Sequence, residues 1–267
     1  MKNETIAGLS LFYDVEEQEG ACLIAEASKK SVKILYECWR LVPPTDCRVY
    51  VMTSWQQFFF HFAPWPWKIY FALTLPLVAI RARSTWPYAG GWAVQFGNRK
   101  VVGVKPPHLI KAGNRSLGEQ IFLPERDLNE KVETVTVHEL AHAFTFHLKL
   151  PTWLHEGLAT LAMEIYLGRP IVRGETLEML SLIPESFSTK REKLRVSEPD
   201  ALIAQYARGY WLTRYLDETR PDLLKELLST RLKPGDLEAK IASAYGKDWM
   251  AFCQGIHSEL KSYFSAE

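Results

Sequence analysis

The sequence has few cysteines, no excess of charge of either sign and no internal repeat. Its 32 Lys and Arg residues are matched by 31 Asp and Glu residues, for a net charge of +1, whereas proteins that grip a nucleic-acid backbone usually carry a basic excess. With 47% hydrophobic and 24% charged residues, the composition is that of an ordinary globular protein, which excludes a disordered or fibrous chain. We therefore expect no nucleic-acid partner.

The cysteines are too far apart in the sequence to form a C-x-x-C motif. In a chain of 267 residues they predict buried free thiols rather than a disulfide framework. They are Cys22, Cys38, Cys47 and Cys253. The N-terminal residues also lack the basic segment and apolar stretch of a secretory signal peptide. We therefore expect a cytoplasmic protein, with membrane association as an open alternative.

One segment is unusually apolar: 17 of the 24 residues from Gln57 to Ile80 are apolar or aromatic. Prolines and Lys68 interrupt it, and the stretch from Ile69 to Ile80 has only 12 residues, which suits a buried or interfacial helix better than a membrane span. Trp65 and Trp67 beside the lysine would also suit a lipid headgroup layer. The segment is predicted to be buried core, while contact with a membrane surface or hydrophobic substrate, and a true span, remain alternatives.

The sequence pattern divides the chain near residue 126. Before it, the periodicity predicts a helix and three strands, the last two joined by a Gly-Asn hairpin turn. Their approximate bounds are Glu16 to Leu41, Arg48 to Met52, Trp92 to Phe96 and Lys100 to Val104. After it, Gly168, Pro221 and Gly235 mark the ends or beginnings of helices. We expect an α+β fold, with an N-terminal α/β subdomain (residues 1–126) containing a small mixed sheet and a helical subdomain (residues 127–267), together forming one catalytic unit.

The predicted helix that begins near Asn129 contains an H-E-x-x-H motif from His138 to His142. Residues four apart lie on the same face of a helix, so both imidazoles can direct a ring nitrogen to one metal ion. Glu139, next to the first histidine, can act on a water molecule as the general base. The alternative is a pair of histidines on a helix that binds no metal.

A catalytic zinc site needs a third protein ligand and an open fourth position. The extended motif H-E-x-x-H-x-x-G-x-x-H is excluded, because Thr145 and Leu148 stand where it requires Gly and His. The other class of zinc hydrolase takes a glutamate from a following helix. The run W-L-H-E-G-L-A at residues 153–159 offers Glu156, with His155 beside it.

The H-E-x-x-H motif followed by W-L-x-E-G-L-A resembles the gluzincin metallopeptidases, the superfamily of thermolysin and aminopeptidase N. Its short spacing is most similar to the compact bacterial peptidase MA-like branch. The resemblance implies a zincin-like fold and one Zn²⁺ per chain, held by His138, His142 and Glu156.

A third match lies in residues 205–216, Q-Y-A-R-G-Y-W-L-T-R-Y-L, which are similar to a helix of the aminopeptidase N group. In that group the first tyrosine stabilises the tetrahedral intermediate, so the resemblance gives this role to Tyr206, with Arg208 in place of the usual lysine. The aminopeptidases also carry an acidic residue in a G-A-M-E-N segment, whereas the corresponding residues 89–94 read A-G-G-W-A-V. This departure disfavours aminopeptidase activity and favours an endopeptidase.

The sequence therefore predicts a zinc metallopeptidase that acts on a peptide or protein substrate by metal-activated water. One alternative is a zinc-binding, non-catalytic module that contacts lipid or a protein partner through the Trp-rich apolar segment. Another is a DNA-associated metalloprotease with His155 as the third ligand, which the neutral net charge disfavours. Neither the substrate nor the oligomeric state has a signature in the sequence.

Overall fold

The computed structural model describes residues 1–110, 120–180 and 199–265. The described residues form two compact units. The first contains residues 1–36, 42–110 and 124–144, and the second contains residues 37–41, 120–123, 145–180 and 199–265. Helices and a small mixed sheet occur together, so the predicted α+β class is confirmed.

The first unit contains a five-stranded sheet in the order β1-β2-β3-β5-β4. The strands are β1 (Lys2–Ile6), β2 (Leu9–Tyr13), β3 (Cys47–Val51), β4 (Gly91–Phe96) and β5 (Arg99–Val104). The central strand β3 is parallel to β2 and β5, while the outer pairs are antiparallel hairpins. The predicted strand from Arg48 to Met52 is confirmed as β3, and the predicted hairpin is confirmed as β4 and β5, with Phe96 opposite Arg99 across the turn. The first hairpin, β1–β2, was not predicted.

Helices make up most of the second unit, and Gly168, Pro221 and Gly235 lie at helix ends or beginnings, as predicted. The helices are α1 (Gln18–Trp39), α2 (Trp65–Leu73), α3 (Leu75–Thr85), α4 (Leu128–Thr145), α5 (Thr152–Leu167), α6 (Glu175–Met179), α7 (Pro199–Thr219), α8 (Pro221–Ser229), α9 (Pro234–Ala244) and α10 (Trp249–Phe264). Short turns lie at Val15–Glu17, Trp55–Gln57, Phe58–Phe62, Pro107–Leu109 and Phe146–Leu148. Gly168 ends α5 in the left-handed conformation that glycine adopts without strain.

The apolar segment from Gln57 to Ile80 divides into a buried and an exposed part. Its first turns place Phe58 and Phe62 in an aromatic core beneath the sheet, so the prediction of a buried core is confirmed there. The following helices α2 and α3 expose many of their apolar side chains, so the prediction of buried core is wrong for this part of the segment. No helix among the described residues is both long enough and apolar enough to cross a membrane.

In the second unit, α5 and α7 cross with their backbones in contact. A Cβ atom built on Gly157 would lie 2.1 Å from the carbonyl oxygen of Gly209 and 2.2 Å from Oγ1 of Thr213. A Cβ built on Gly209 would likewise lie 2.5 Å from the carbonyl oxygen of Trp153. No side chain larger than hydrogen fits at this crossing, which fixes the beginning of α5, where Glu156 lies.

All four cysteines are free thiols, as predicted, but only Cys47 and Cys253 are buried. Cys22 is exposed and Cys38 is half-buried. Burial raises the pKa of the Cys47 thiol to about 12, so this cysteine is protonated and unreactive at neutral pH.

Candidate metal centre

The H-E-x-x-H motif lies in α4, whose beginning is fixed by local hydrogen bonds. The backbone N–H of Glu130 donates to the Asp127 carboxylate at 2.8 Å, and the Glu130 carboxylate accepts from the backbone N–H of Arg126 at 3.1 Å. These contacts satisfy backbone donors that the first turn of a helix leaves open. Buried side chains on the helix anchor it along its length: Val132, Val137, Leu140, Ala141 and Phe144.

The two histidines of the motif bring their Nε2 atoms together. The Nε2 atoms of His138 and His142 are 3.0 Å apart, and the rings are nearly perpendicular, with centroids 4.6 Å apart. Two nitrogens that each bind one tetrahedral zinc ion at 2.0–2.1 Å stand about 3.3 Å from each other. The spacing of this pair is therefore close to that of two ligands of a single ion.

A short, sharply turning connection leads from α4 to α5. The chain passes through the turn Phe146–Leu148, and Lys149 adopts a left-handed conformation with φ of 53° and ψ of 43°. Pro151 then precedes the first residue of α5 in an extended conformation. Glu156 is the fifth residue of α5.

Glu156 completes a group that can hold a metal ion. His138, His142 and Glu156 each offer one ligand atom, and these atoms lie within 4.8 Å of one another. Among the residues that the structure describes, no other histidine, cysteine or acidic residue joins this group. The buried ring of His155 instead packs against Phe146, with the centroids 5.6 Å apart.

Glu139 lies outside the group and next to the sheet. A Cβ atom built on Gly91, at the start of β4, would lie 2.8 Å from Cγ of Glu139 and 2.8 Å from Cγ1 of Val135. Glycine is therefore required for this strand to approach the helix so closely. Sequence reasoning did not identify this role of Gly91, although the Gly90-Gly91 pair ahead of the predicted strand was a signal for a close backbone approach.

The strand that approaches Glu139 is an edge strand of the sheet, because β5 is its one partner among the residues that the structure describes. The backbone N–H of Lys105 donates to the carbonyl of Gly90 at 2.9 Å, and residues along an antiparallel strand alternate between bonding their partner strand and facing away from it. Gly91, Ala93 and Gln95 consequently present their backbone N–H and C=O groups to the open edge of the sheet.

Tyr206 lies in α7, where it is half-buried and its ring makes an edge contact with Phe122 at 6.4 Å between centroids. Arg208, the residue in the position of the usual lysine, is buried. The ring contact fixes Tyr206 within the second unit, and the role of its hydroxyl in stabilising an intermediate stays a prediction.

A second carboxylate of α5, Glu164, belongs to a network that the sequence did not predict. It accepts hydrogen bonds from the hydroxyl of Tyr210 at 2.6 Å and from the backbone N–H of Ile171 at 3.2 Å, and it lies 3.8 Å from the guanidinium of Arg214. Burial, together with the negative charge of Glu164, raises the pKa of Tyr210 above its ordinary value, so this hydroxyl remains a donor.

Comparison of the chain with protein-family models, curated proteins and solved structures returns no significant match.

Proposed function

We propose that the protein is a zinc metallopeptidase of the gluzincin type with a zincin-like fold, acting as an endopeptidase. The observation that carries the proposal is the convergence of His138, His142 and Glu156, whose potential ligand atoms lie within 4.8 Å of one another. A general-base candidate, Glu139, lies next to the first of them in the same helix. The gluzincin assignment rests further on the sequence resemblance.

The donor set suits zinc. Two imidazole nitrogens and one carboxylate oxygen are the three protein ligands of a common class of zinc hydrolases, in which the fourth position stays open for water or substrate. When bound, Zn²⁺ supplies a Lewis acid that makes water ionise near neutral pH and polarises a carbonyl oxygen.

The chain's own residues supply the proton transfers and the orientation of the substrate. In this proposal Glu139 takes a proton from the attacking water and delivers it to the departing amine, as a general base and then a general acid. Tyr206 donates a hydrogen bond to the oxygen on which negative charge develops. These two roles are distinct from those of the three ligands, because neither residue belongs to the metal-binding group.

The edge strand β4 supports an extended peptide as the substrate. The outward-facing backbone groups of Gly91, Ala93 and Gln95 can pair with a peptide by β-strand addition, and the strand begins beside Glu139. Residues 89–94 contain no acidic side chain that could bind a free α-amino group. Cleavage within a chain is therefore favoured over removal of an N-terminal residue.

The test compares the wild type, Glu139→Gln and Glu133→Gln, the last a change of a half-buried glutamate in the same helix. Each protein is purified without added metal, its zinc is measured by mass spectrometry, and it is assayed with a library of quenched fluorogenic peptides blocked at both ends. We expect about one zinc per chain in all three proteins and a loss of hydrolysis of about 10³-fold in Glu139→Gln alone.

Three outcomes would contradict the proposal or part of it. If the wild-type protein contains no metal, the three residues do not form a zinc site. If it contains zinc but hydrolyses no peptide, a non-catalytic zinc-binding module is favoured. Loss of zinc together with activity in Glu139→Gln would mean that Glu139 is a ligand or a structural residue rather than the base.

A further inference from the structure

The helices α2 and α3 expose a large apolar surface, which we call the apolar helix pair (Trp65–Leu73 and Leu75–Thr85). Four of its side chains are at least 70% exposed: Trp65, Leu73, Leu77 and Ile80. Ile69, Tyr70 and Leu75 are exposed as well. Soluble monomers rarely expose apolar surfaces of this kind, so the apolar helix pair indicates an interaction surface.

The opposite side of the apolar helix pair is already occupied by the core of the first unit. The ring of Phe71 packs against Phe59 at 4.9 Å between centroids, and that of Trp67 packs against Phe96 at 5.5 Å. In α3, Val78 faces the aromatic core and Ala82 is buried one turn later. The exposed residues therefore form an outer face on anchored helices.

The charged side chains of the apolar helix pair, and of the stretch of sequence that contains it, are all basic. Between residues 47 and 118 the sequence has nine Lys and Arg residues and no Asp or Glu, whereas the other residues carry 23 basic and 31 acidic side chains. Arg48 and Arg99 in this stretch pair with Asp46. Lys68, Arg81 and Arg83 lie in the apolar helix pair itself, the two arginines exposed and the lysine half-buried.

The helical spacing places the charges beside the exposed apolar residues. Arg81 is four residues from Leu77 and next to Ile80, and Arg83 is three residues from Ile80, so they share the outer side of α3. At the other end, the exposed Trp65 and the partly exposed Trp67 precede Lys68, with Trp67 next to it. Tryptophan beside lysine is typical of helices at a lipid headgroup layer, and arginines are attracted to anionic lipids.

We propose that the outer face of the apolar helix pair docks on the surface of an anionic lipid bilayer. The helices have 9 and 11 residues, which is too short to span a bilayer, so in this proposal they lie in its interfacial layer. A second copy of the chain suits this face less well, because self-association would bring Lys68, Arg81 and Arg83 close to the same basic residues of the other copy, and like charges repel. This proposal is independent of the proposed peptidase activity.

The test is flotation of the full chain with vesicles, carried out with Glu139→Gln so that hydrolysis plays no part. One set of vesicles contains phosphatidylcholine alone, and the other contains equal parts of phosphatidylcholine and phosphatidylglycerol. We expect binding to the mixed vesicles, much weaker binding to phosphatidylcholine alone, and a decrease of binding as salt is raised.

Two double variants separate the apolar from the electrostatic contribution. Leu73→Ser with Leu77→Ser should weaken binding to the mixed vesicles by about tenfold or more. Arg81→Gln with Arg83→Gln should weaken it by about 30-fold at low salt. The matched control, Met250→Ser with Arg231→Gln, changes an exposed methionine and an exposed arginine of the second unit and should bind as the parent does.

The altered side chains of the apolar helix pair are exposed, so unfolding in urea should show unchanged stability for both variants. Absence of binding to the mixed vesicles, or undiminished binding by the leucine variant, would overturn the proposal. A parent chain that is dimeric by light scattering and becomes monomeric in the leucine variant, without binding vesicles, would identify the face as a contact between two copies and would overturn it as well.

Discussion

Glu156 and Glu164 lie eight residues apart in the same helix, and their surroundings differ in kind. Glu164 accepts hydrogen bonds from the hydroxyl of Tyr210 and the backbone N–H of Ile171, and it forms an ion pair with the guanidinium of Arg214. Glu156 is instead grouped with the imidazole nitrogens of two histidines. A carboxylate surrounded by donors stabilises the fold as it stands, whereas one grouped with potential ligand atoms gains most from a cation.

The largest expected effect is on metal affinity, and it separates the two glutamates. Glu156→Ala should lower zinc affinity by more than about 100-fold, the upper range for changes in groups that only orient ligands. Glu164→Ala should retain zinc but lose about 2 kcal/mol of stability, because Tyr210 loses its hydrogen-bond acceptor and Arg214 loses a nearby carboxylate. Zinc affinity is measured by competition with a chromophoric chelator, and stability by unfolding in urea.

A chelator provides the control for this pair. Removing zinc should lower the unfolding temperature of the wild type and of Glu164→Ala, because a ligand that binds only the native state stabilises it. The chelator should leave the unfolding temperature of Glu156→Ala unchanged, because this variant holds little zinc. Equal loss of zinc in both variants would contradict the contrast between the two carboxylates.

The second prediction concerns two tyrosines of α7, Tyr206 and Tyr210. Tyr206→Phe should lower kcat by about 10²-fold, as expected for loss of one donor to a developing oxyanion, with zinc content and stability unchanged. Tyr210→Phe should lower stability by about 1 kcal/mol, because Glu164 loses a donor, with kcat unchanged. Peptide hydrolysis and urea unfolding of both proteins check the pair, and a loss of activity in Tyr210→Phe alone would reverse the assignment.

The third prediction tests the crossing of α5 and α7, which holds both glutamates. Gly157→Ala should lower stability by about 3 kcal/mol, because the added methyl group overlaps the carbonyl of Gly209 and the hydroxyl of Thr213. Gly174→Ala is the matched control, since a Cβ there meets no atom within 4 Å and the backbone is helical. It should leave stability unchanged or raise it by about 0.5 kcal/mol. Equal stability of the two variants would mean that the helices separate at little cost.

The sequence predicted local features better than features that depend on distant residues. The spacing of His138 and His142 within one helix is a local property, so their convergence could be predicted, whereas Glu156 was assigned by resemblance to a known family. The network of Glu164 depends on Tyr210, 46 residues further along the chain, and no local pattern indicates it.

Two other features escaped prediction for different physical reasons. Strand β1 is exposed over four of its five residues, so it has no apolar alternation to distinguish it from a loop, and it is held by pairing with β2. The apolar segment was detected from its composition. Composition alone does not determine which face of a helix the rest of the protein covers, so the exposed side of the apolar helix pair required the structure.

The last prediction extends the comparison to a buried cation. Lys105, which follows β5, is buried; its ammonium group donates to the carbonyl of Trp86 and lies 4.0 Å from the centroid of that indole ring. Among the described residues no carboxylate pairs with it, in contrast to Arg214 beside Glu164 and Glu218. Burial lowers the pKa of Lys105 to about 8, below the value of about 10.4 for an unfolded chain.

This difference in pKa gives stability a defined dependence on pH. Below pH 8 the lysine is charged in both states, and the cost of burying the charge is fully present. Between pH 8 and about 10.4 the unfolded chain binds more protons than the native one, so the contribution of Lys105 to the free energy of unfolding rises with pH. Urea unfolding across this range should show a smaller rise in Lys105→Met than in wild type, and the exposed-site control Lys233→Met should follow wild type. Parallel curves for all three proteins would mean that the native state leaves the ammonium group hydrated.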